Sequence, residues 1–327
     1  MRTSRIKISQ EGDDAEDAVY HCIGRVVGGE YLLGAPEREL FVSLLKQHAE
    51  FAGGEVISYC IMSNHYHLLL RFSVGAIPTD AELVRRVQAR YKKISSFRQM
   101  VEMTFESRDC LDKALREQLL RRMFDLSAFM RELLQHFTLA YNKQHKRFGT
   151  LWAARFRSIL VENEPGVIET VSAYIDLNPI RAGLVEDPKD YRWCSYAAAV
   201  VGDKAAREGI TSHSPKKQWK AVQADYRKRL FIRAGESGNS AKVALSREAI
   251  MKVVAEGGAL SIPQICRLRV RHFTDGVALG SDDFVSKIYN EFKDRFGDNK
   301  RTSVRRINLP GKIGEMSTLR NLRTDAL

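Results

Sequence analysis

The sequence contains no C-x-x-C pair, and its five cysteines (22, 60, 110, 194 and 266) are scattered along the chain. That spacing suggests neither a zinc ribbon nor a disulfide framework. No long apolar run occurs, so no membrane-spanning helix is expected. The opening MRTSRIKISQEGDD has no apolar leader core, and a soluble, cytoplasmic (nucleoid-associated) protein is the expectation. Acid is missing from one stretch in particular: residues 141–158 (YNKQHKRFGTLWAARFRS) hold Lys143, Lys146, Arg147, Arg155 and Arg157 with no Asp or Glu. Over all 327 residues Lys and Arg outnumber Asp and Glu by 52 to 40, a formal +12. That balance favours a polyanionic partner without requiring one.

Residues 57–72 (ISYCIMSNHYHLLLRF) organise the rest. Two short apolar runs, 57–62 and 66–72, flank a Ser-Asn turn and read as paired strands. Residues two apart in a strand share a face, so His65 and His67 leave the sheet together while Tyr66 points the other way. Two imidazoles on one face are half of a divalent-metal site. A bare His-x-His is more often a pair of polar residues at the end of a half-exposed strand. Here Leu68, Leu69 and Leu70 continue as core sequence, which gives the metal reading more weight.

Before this stretch, residues 19–27 read as a strand. Pro36 opens a helix with a 3.6-period stripe of Leu40, Phe41, Leu44, Leu45, Ala49 and Ala52, closed by Gly53-Gly54. After it, a helix is expected from 78 to about 97, basic at its end. Its bases suit the helix dipole as well as they suit DNA. Residues 100–125 read as an inserted linker and helix, and 126–142 as an amphipathic helix capped by Ser127. A strand follows at 156–161, and a helix over 166–177 ends at Asn178-Pro179. The order resembles a split β-α-β-β-α-β (ferredoxin-like) α+β fold with a free sheet face. Within the basic turn 141–158, Trp152 could stack a base while its cationic neighbours neutralise phosphates, or simply pack into the core. Tyr191, Trp193 and Tyr196 are expected to staple 180–199 onto the first domain.

The chain therefore divides into a loose arm (1–17), a catalytic domain (18–199), a polar connector (200–245) and a smaller carboxy-terminal helical domain (246–327). In the last, helices at 246–254, 261–267 and 281–292 have spacing like a helix-turn-helix, with Arg267, Arg269 and Arg271 as candidate DNA contacts. The segment RHFTDGVALG is expected to be an irregular turn and the tail 299–314 a basic arm that either lies on nucleic acid or is merely solvated.

A metal on His65 and His67 needs a further ligand and a group to activate. Tyr174 and Asn178 stand four apart, on one helix face. Asn178 can offer an amide oxygen, and Tyr174 a phenol. Taken alone, Tyr174 is a core or rim residue and Asn178 a helix stop. Together, MSNHYHLLLR, GTLWAARFRSILVE and AYIDLNPIRAGLV make residues 18–198 resemble the single-tyrosine HUH transposases, most closely their REP-associated branch. The resemblance implies His65 and His67 as metal-binding histidines, Asn178 as third ligand and Tyr174 as the nucleophile that forms a 5′-phosphotyrosine link. It implies magnesium or manganese, and single-stranded DNA folded as repetitive hairpins. It thereby implies a DNA-nicking and strand-transferring enzyme. Duplex DNA is a further partner expected of the carboxy-terminal domain, and a monomer is favoured over a dimer. The alternative is a non-catalytic, sequence-specific DNA-binding regulator; a metal-dependent RNA-processing enzyme ranks third.

Overall fold

The computed structural model describes Ile6, 16–73, 77–91, 95–231, 273–293, 304–307 and 316–320. The expected arm therefore falls largely outside the described residues. So do the expected helices at 246–254 and 261–267. The architecture is mixed α+β, with sheet and helices in each of two compact units. One unit comprises Ile8–Ile57 and Ile61–Arg157, the other Met1–Lys7, Ser58–Cys60 and Ser158–Leu327.

In the first unit the strand order is β2 (Gly54–Ile61), β3 (His65–Phe72), β1 (Ala18–Arg25). β1 pairs antiparallel with β3, placing Ile23 opposite His67, Gly24 opposite Tyr66 and Arg25 opposite His65. The alternation of each strand assigns its two faces. Tyr66 lies on the face that packs against α1 (Ala35–Ala52), its ring 5.1 Å from Phe41. Gly24 is required beneath that ring, because a Cβ there would stand 2.5 Å from Tyr66 Cε1. α1 follows Pro36 as the sequence predicts and ends at Gly53, whose φ of 68° is left-handed. It buries Phe41, Leu44, Leu45 and Ala49 and packs against α2 (Asp80–Arg90) and α5 (Leu126–Gln144). The cap of α5 is Asp125, which accepts from the Ala128 N–H, and not the expected Ser127. A carboxylate just outside the first turn also faces the positive end of the helix dipole.

The single helix expected over 78–97 is two. α2 stops at Arg90, and α3 (Ser96–Arg108) and α4 (Lys113–Leu120) follow. They enclose a core of their own around Phe51, Leu83, Val87, Val101, Leu115 and Leu119. The arginines of this region are largely held in ion pairs. Arg85 and Arg86 pair with Glu82 at 2.7 Å and Arg98 with Glu102 at 2.8 Å.

In the second unit β4 (Arg157–Val161) runs parallel to β5 (Gly276–Ser281). β5 and β6 (Val304–Ile307) each pair antiparallel with β7 (Met316–Arg320). The expected turn at RHFTDGVALG is therefore a strand over Gly276–Ser281, and the tail contributes β6. The carboxy-terminal domain, expected to be helical, is corrected over its described residues, which include the strands β5, β6 and β7. The physical reason is distant pairing. GVALGS is too short and glycine-rich to declare a strand by itself, and it gains its hydrogen bonds from β4 and β7. The helix is α11 (Asp282–Glu291), capped by Ser281, whose hydroxyl donates to Glu162 at 2.7 Å.

Between β4 and β5 lie α6 (Pro165–Asp176), α7 (Asn178–Arg181), α8 (Ser195–Val200), α9 (Lys204–Thr211) and α10 (Trp219–Phe231). α6 is buried from Val167 through Asp176. The Asp176 carboxylate accepts from Tyr226 Oη at 2.7 Å and from the Tyr196 N–H at 3.2 Å. Among the described residues no helix is long and apolar enough to cross a membrane.

Candidate functional site

β3 fixes the direction of the two histidines. His65 and His67 occupy one face, with ring centroids 5.2 Å apart and planes near perpendicular. His65 sits where the turn becomes strand, and its Nδ1 lies 2.6 Å from Asn64 Oδ1. An amide oxygen can only accept, so His65 Nδ1 carries the proton and Nε2 keeps a lone pair. His67 is buried, and its Nδ1 lies 3.0 Å from Nε2 of His21. The two rings stack at 5.2 Å. The tautomer of the His21–His67 pair decides which nitrogen of His67 can ligate: Nε2 keeps its lone pair only where His67 Nδ1 donates. This is how metal-binding imidazoles are oriented, with the far nitrogen held by a second group. Two imidazole nitrogens on one face supply half of the donor set of a divalent ion. Among the described residues no three His, Cys, Asp or Glu side chains gather as a metal cage.

His21 was not singled out from the sequence. Its signal was present in the alternation of VYHCIGR, which puts His21, Ile23 and Arg25 on one face. Which β3 residue it meets depends on register, and the register is set by pairing across 46 positions.

Tyr174 and Asn178 belong to the second unit. α6 ends at Asp176 with Leu177 as its cap, right-handed at φ −83°, and the separate four-residue α7 starts at Asn178. Asn178 Nδ2 donates to the carbonyls of Tyr174 (3.2 Å) and Ile175 (3.0 Å), which turns Oδ1 into its accepting end. Tyr174 is 0% exposed. Phe273 stacks on its ring at 4.5 Å, and the Arg181 guanidinium stands 4.1 Å over it.

The basic turn runs from the end of α5 into β4. Lys143, Lys146, Arg155 and Arg157 are exposed, and Arg147 is half-buried. Trp152 is packed, its ring lying 5.4 Å from Tyr66 and 5.8 Å from Phe137. Its indole N–H donates to Thr138 Oγ1 at 3.0 Å. Arg267, Arg269 and Arg271 lie outside the described residues.

No protein-family model matches the chain, and no curated protein matches it. Among solved structures, it is similar to a REP-associated tyrosine transposase bound to a REP hairpin, at 13% identity and a TM-score of 0.39. The likeness covers 62% of this chain and 87% of that one.

Proposed function

We propose that this protein nicks and rejoins single-stranded or hairpin DNA through a covalent 5′-phosphotyrosine link on Tyr174. The observation that carries the reading is the imidazole pair on one face of β3, its ring centroids 5.2 Å apart and the Nδ1 of each ring set against a neighbouring polar atom. His65, His67 and the Asn178 amide oxygen would hold magnesium or manganese. Such an ion, when bound, polarises a phosphodiester for attack. The Tyr174 phenolic oxygen attacks phosphorus and loses its proton to solvent, the P–O3′ bond breaks, and the departing 3′-oxygen takes up a proton from solvent to become a free 3′-hydroxyl. A phenol of free pKa about 10 is a poor nucleophile unaided, so the activated phosphodiester is essential to the scheme. Because the new link is itself a phosphodiester, attack by a 3′-hydroxyl reverses it without ATP. In the same reading the element order β1-α1-β2-β3-α5-β4 is a split β-α-β-β-α-β arrangement with α2–α4 inserted. The exposed cations of the basic turn would hold the phosphates of the strand.

The test is incubation with a labelled hairpin-bearing strand and Mn²⁺, followed by denaturing electrophoresis. A covalent protein–DNA adduct is expected with the wild type and none with Tyr174→Phe. Absence of an adduct with every repetitive hairpin of the host genome would sink the reading.

The complete burial of Tyr174 beneath Phe273 favours a second reading, a DNA-binding regulator without catalysis. Such a protein would bind DNA equally with His65→Ala and after chelation. The nicking enzyme would bind but lose its adduct in both cases.

A further inference from the structure

In the turn between α5 and β4, Phe148 is 93% exposed. Its loop is held at both ends. The Arg147 N–H donates to the Asn142 carbonyl at 2.9 Å, and Asn142 Nδ2 donates to the Gly149 carbonyl at 2.9 Å. Lys146 and Gly149, at φ 50° and 87°, supply the left-handed steps that let so short a loop close. A large apolar ring displayed on a braced loop loses little conformational freedom on gaining a partner. The local charge indicates which partner. Lys143, Lys146, Arg147, Arg155 and Arg157 surround Phe148 in the sequence, and no acid occurs from 141 to 161. Tyr31, 80% exposed, is the contrasting case. Its loop is tied to the same region by the Val27 N–H donating to the Leu151 carbonyl, yet it carries Glu30 and no base over 28–34.

We propose that Phe148 is a base-stacking platform for single-stranded nucleic acid, with Lys146 and Arg147 beside it to neutralise the flanking phosphates. The proposal rests on the single-stranded substrate of the preceding reading, and it assigns the stacking to Phe148 because Trp152 is packed among Phe41, Tyr66 and Phe137. Every base has a π face, so stacking of this kind tolerates any sequence, whereas a paired duplex hides those faces. It also adds affinity that salt does not screen, unlike the phosphate contacts around it.

The experiment is a fluorescence-anisotropy titration of labelled oligo-dT with the full chain in EDTA, over a range of salt. A duplex serves as the comparison, and sedimentation is run in parallel. Phe148→Ala is expected to weaken oligo-dT binding about tenfold, leaving duplex binding and the salt slope as they were. Phe148→Trp is expected to retain affinity and to add tryptophan emission that oligo-dT quenches. Lys146→Ala is expected to make the salt slope shallower. The proposal is overturned if the wild type does not bind oligo-dT. Wild-type affinity in Phe148→Ala, or equal loss on duplex, would also overturn it. So would a change in sedimentation without a change in binding, which would make Phe148 a self-association contact. Binding in EDTA is independent of the adduct assay. Phe148-dependent binding without any adduct would sink the nicking chemistry alone, and an adduct with Phe148-independent binding would sink the stacking alone.

Discussion

His67 and Tyr174 are both buried, one in each unit, and they are buried in different ways. His67 is surrounded by polar partners: His21 meets one nitrogen, and His65 stands edge-on beside it. The contacts that define Tyr174 are made with its π face, by the Phe273 ring and the Arg181 guanidinium. Hydrogen bonds between imidazoles set direction, and direction is what a ligand needs. Stacking and cation–π contacts are less directional, at roughly 0.5–2 kcal/mol each. They can cover a residue in the resting protein and still be exchanged for another flat surface. The comparison teaches that, in the proposed reaction, the histidines would meet an ion where they already stand, whereas the Tyr174 hydroxyl would have to be uncovered before reacting.

The largest effect expected is at the hydroxyl itself. Tyr174→Phe keeps the stack on Phe273 and the Arg181 contact, so folding and DNA affinity should persist while the covalent adduct disappears entirely. An adduct surviving on a denaturing gel would move the nucleophile elsewhere.

Next in size is a stability effect within the tyrosine helix. Burial raises the Asp176 carboxyl to about 7, against the opposing hydrogen bonds from Tyr226 and the Tyr196 N–H. A carboxyl raised in the folded state contributes stability that is fully present below its unfolded value of ~3.9. That stability is lost as pH rises through about 7. At about 1.4 kcal/mol per pKa unit, the fall is at most a few kcal/mol. Urea midpoints measured from pH 4 to 8 should decline more steeply in the wild type than in Asp176→Asn. Identical slopes would show that this carboxyl titrates normally.

On the histidine side, His21→Ala removes the group that orients His67. Manganese affinity measured by calorimetry is expected to fall about ten- to a hundredfold, with the fold intact by circular dichroism. Unchanged affinity would reduce His21 to a packing residue. The smallest effect expected is at Gly24, beneath Tyr66 on the opposite face of the sheet. Gly24→Ala brings a methyl into that ring and should destabilise the first unit by about 1–3 kcal/mol in urea unfolding. A neutral outcome would mean that Tyr66 moves aside at no cost.

Local pattern was enough to place much of the framework. The period-two runs became β1, β2 and β3, and Pro36 and Gly53 bounded α1 as read. His65 and His67 fell on one face because strand geometry alternates whatever the strand pairs with. The tertiary structure decided everything that depends on a distant partner. His21 joined the pair only through the β1–β3 register. The segment GVALGS became a strand only beside β4 and β7, too short to show itself by periodicity. Composition alone left Trp152 either packed in the core or stacking a base. Packing set the half-buried Trp152 against Phe41, Tyr66 and Phe137, while the braced loop left Phe148 in water. Spacing along the chain dictates which side chains share a face. Only the packing of segments remote in sequence dictates which of those faces is covered.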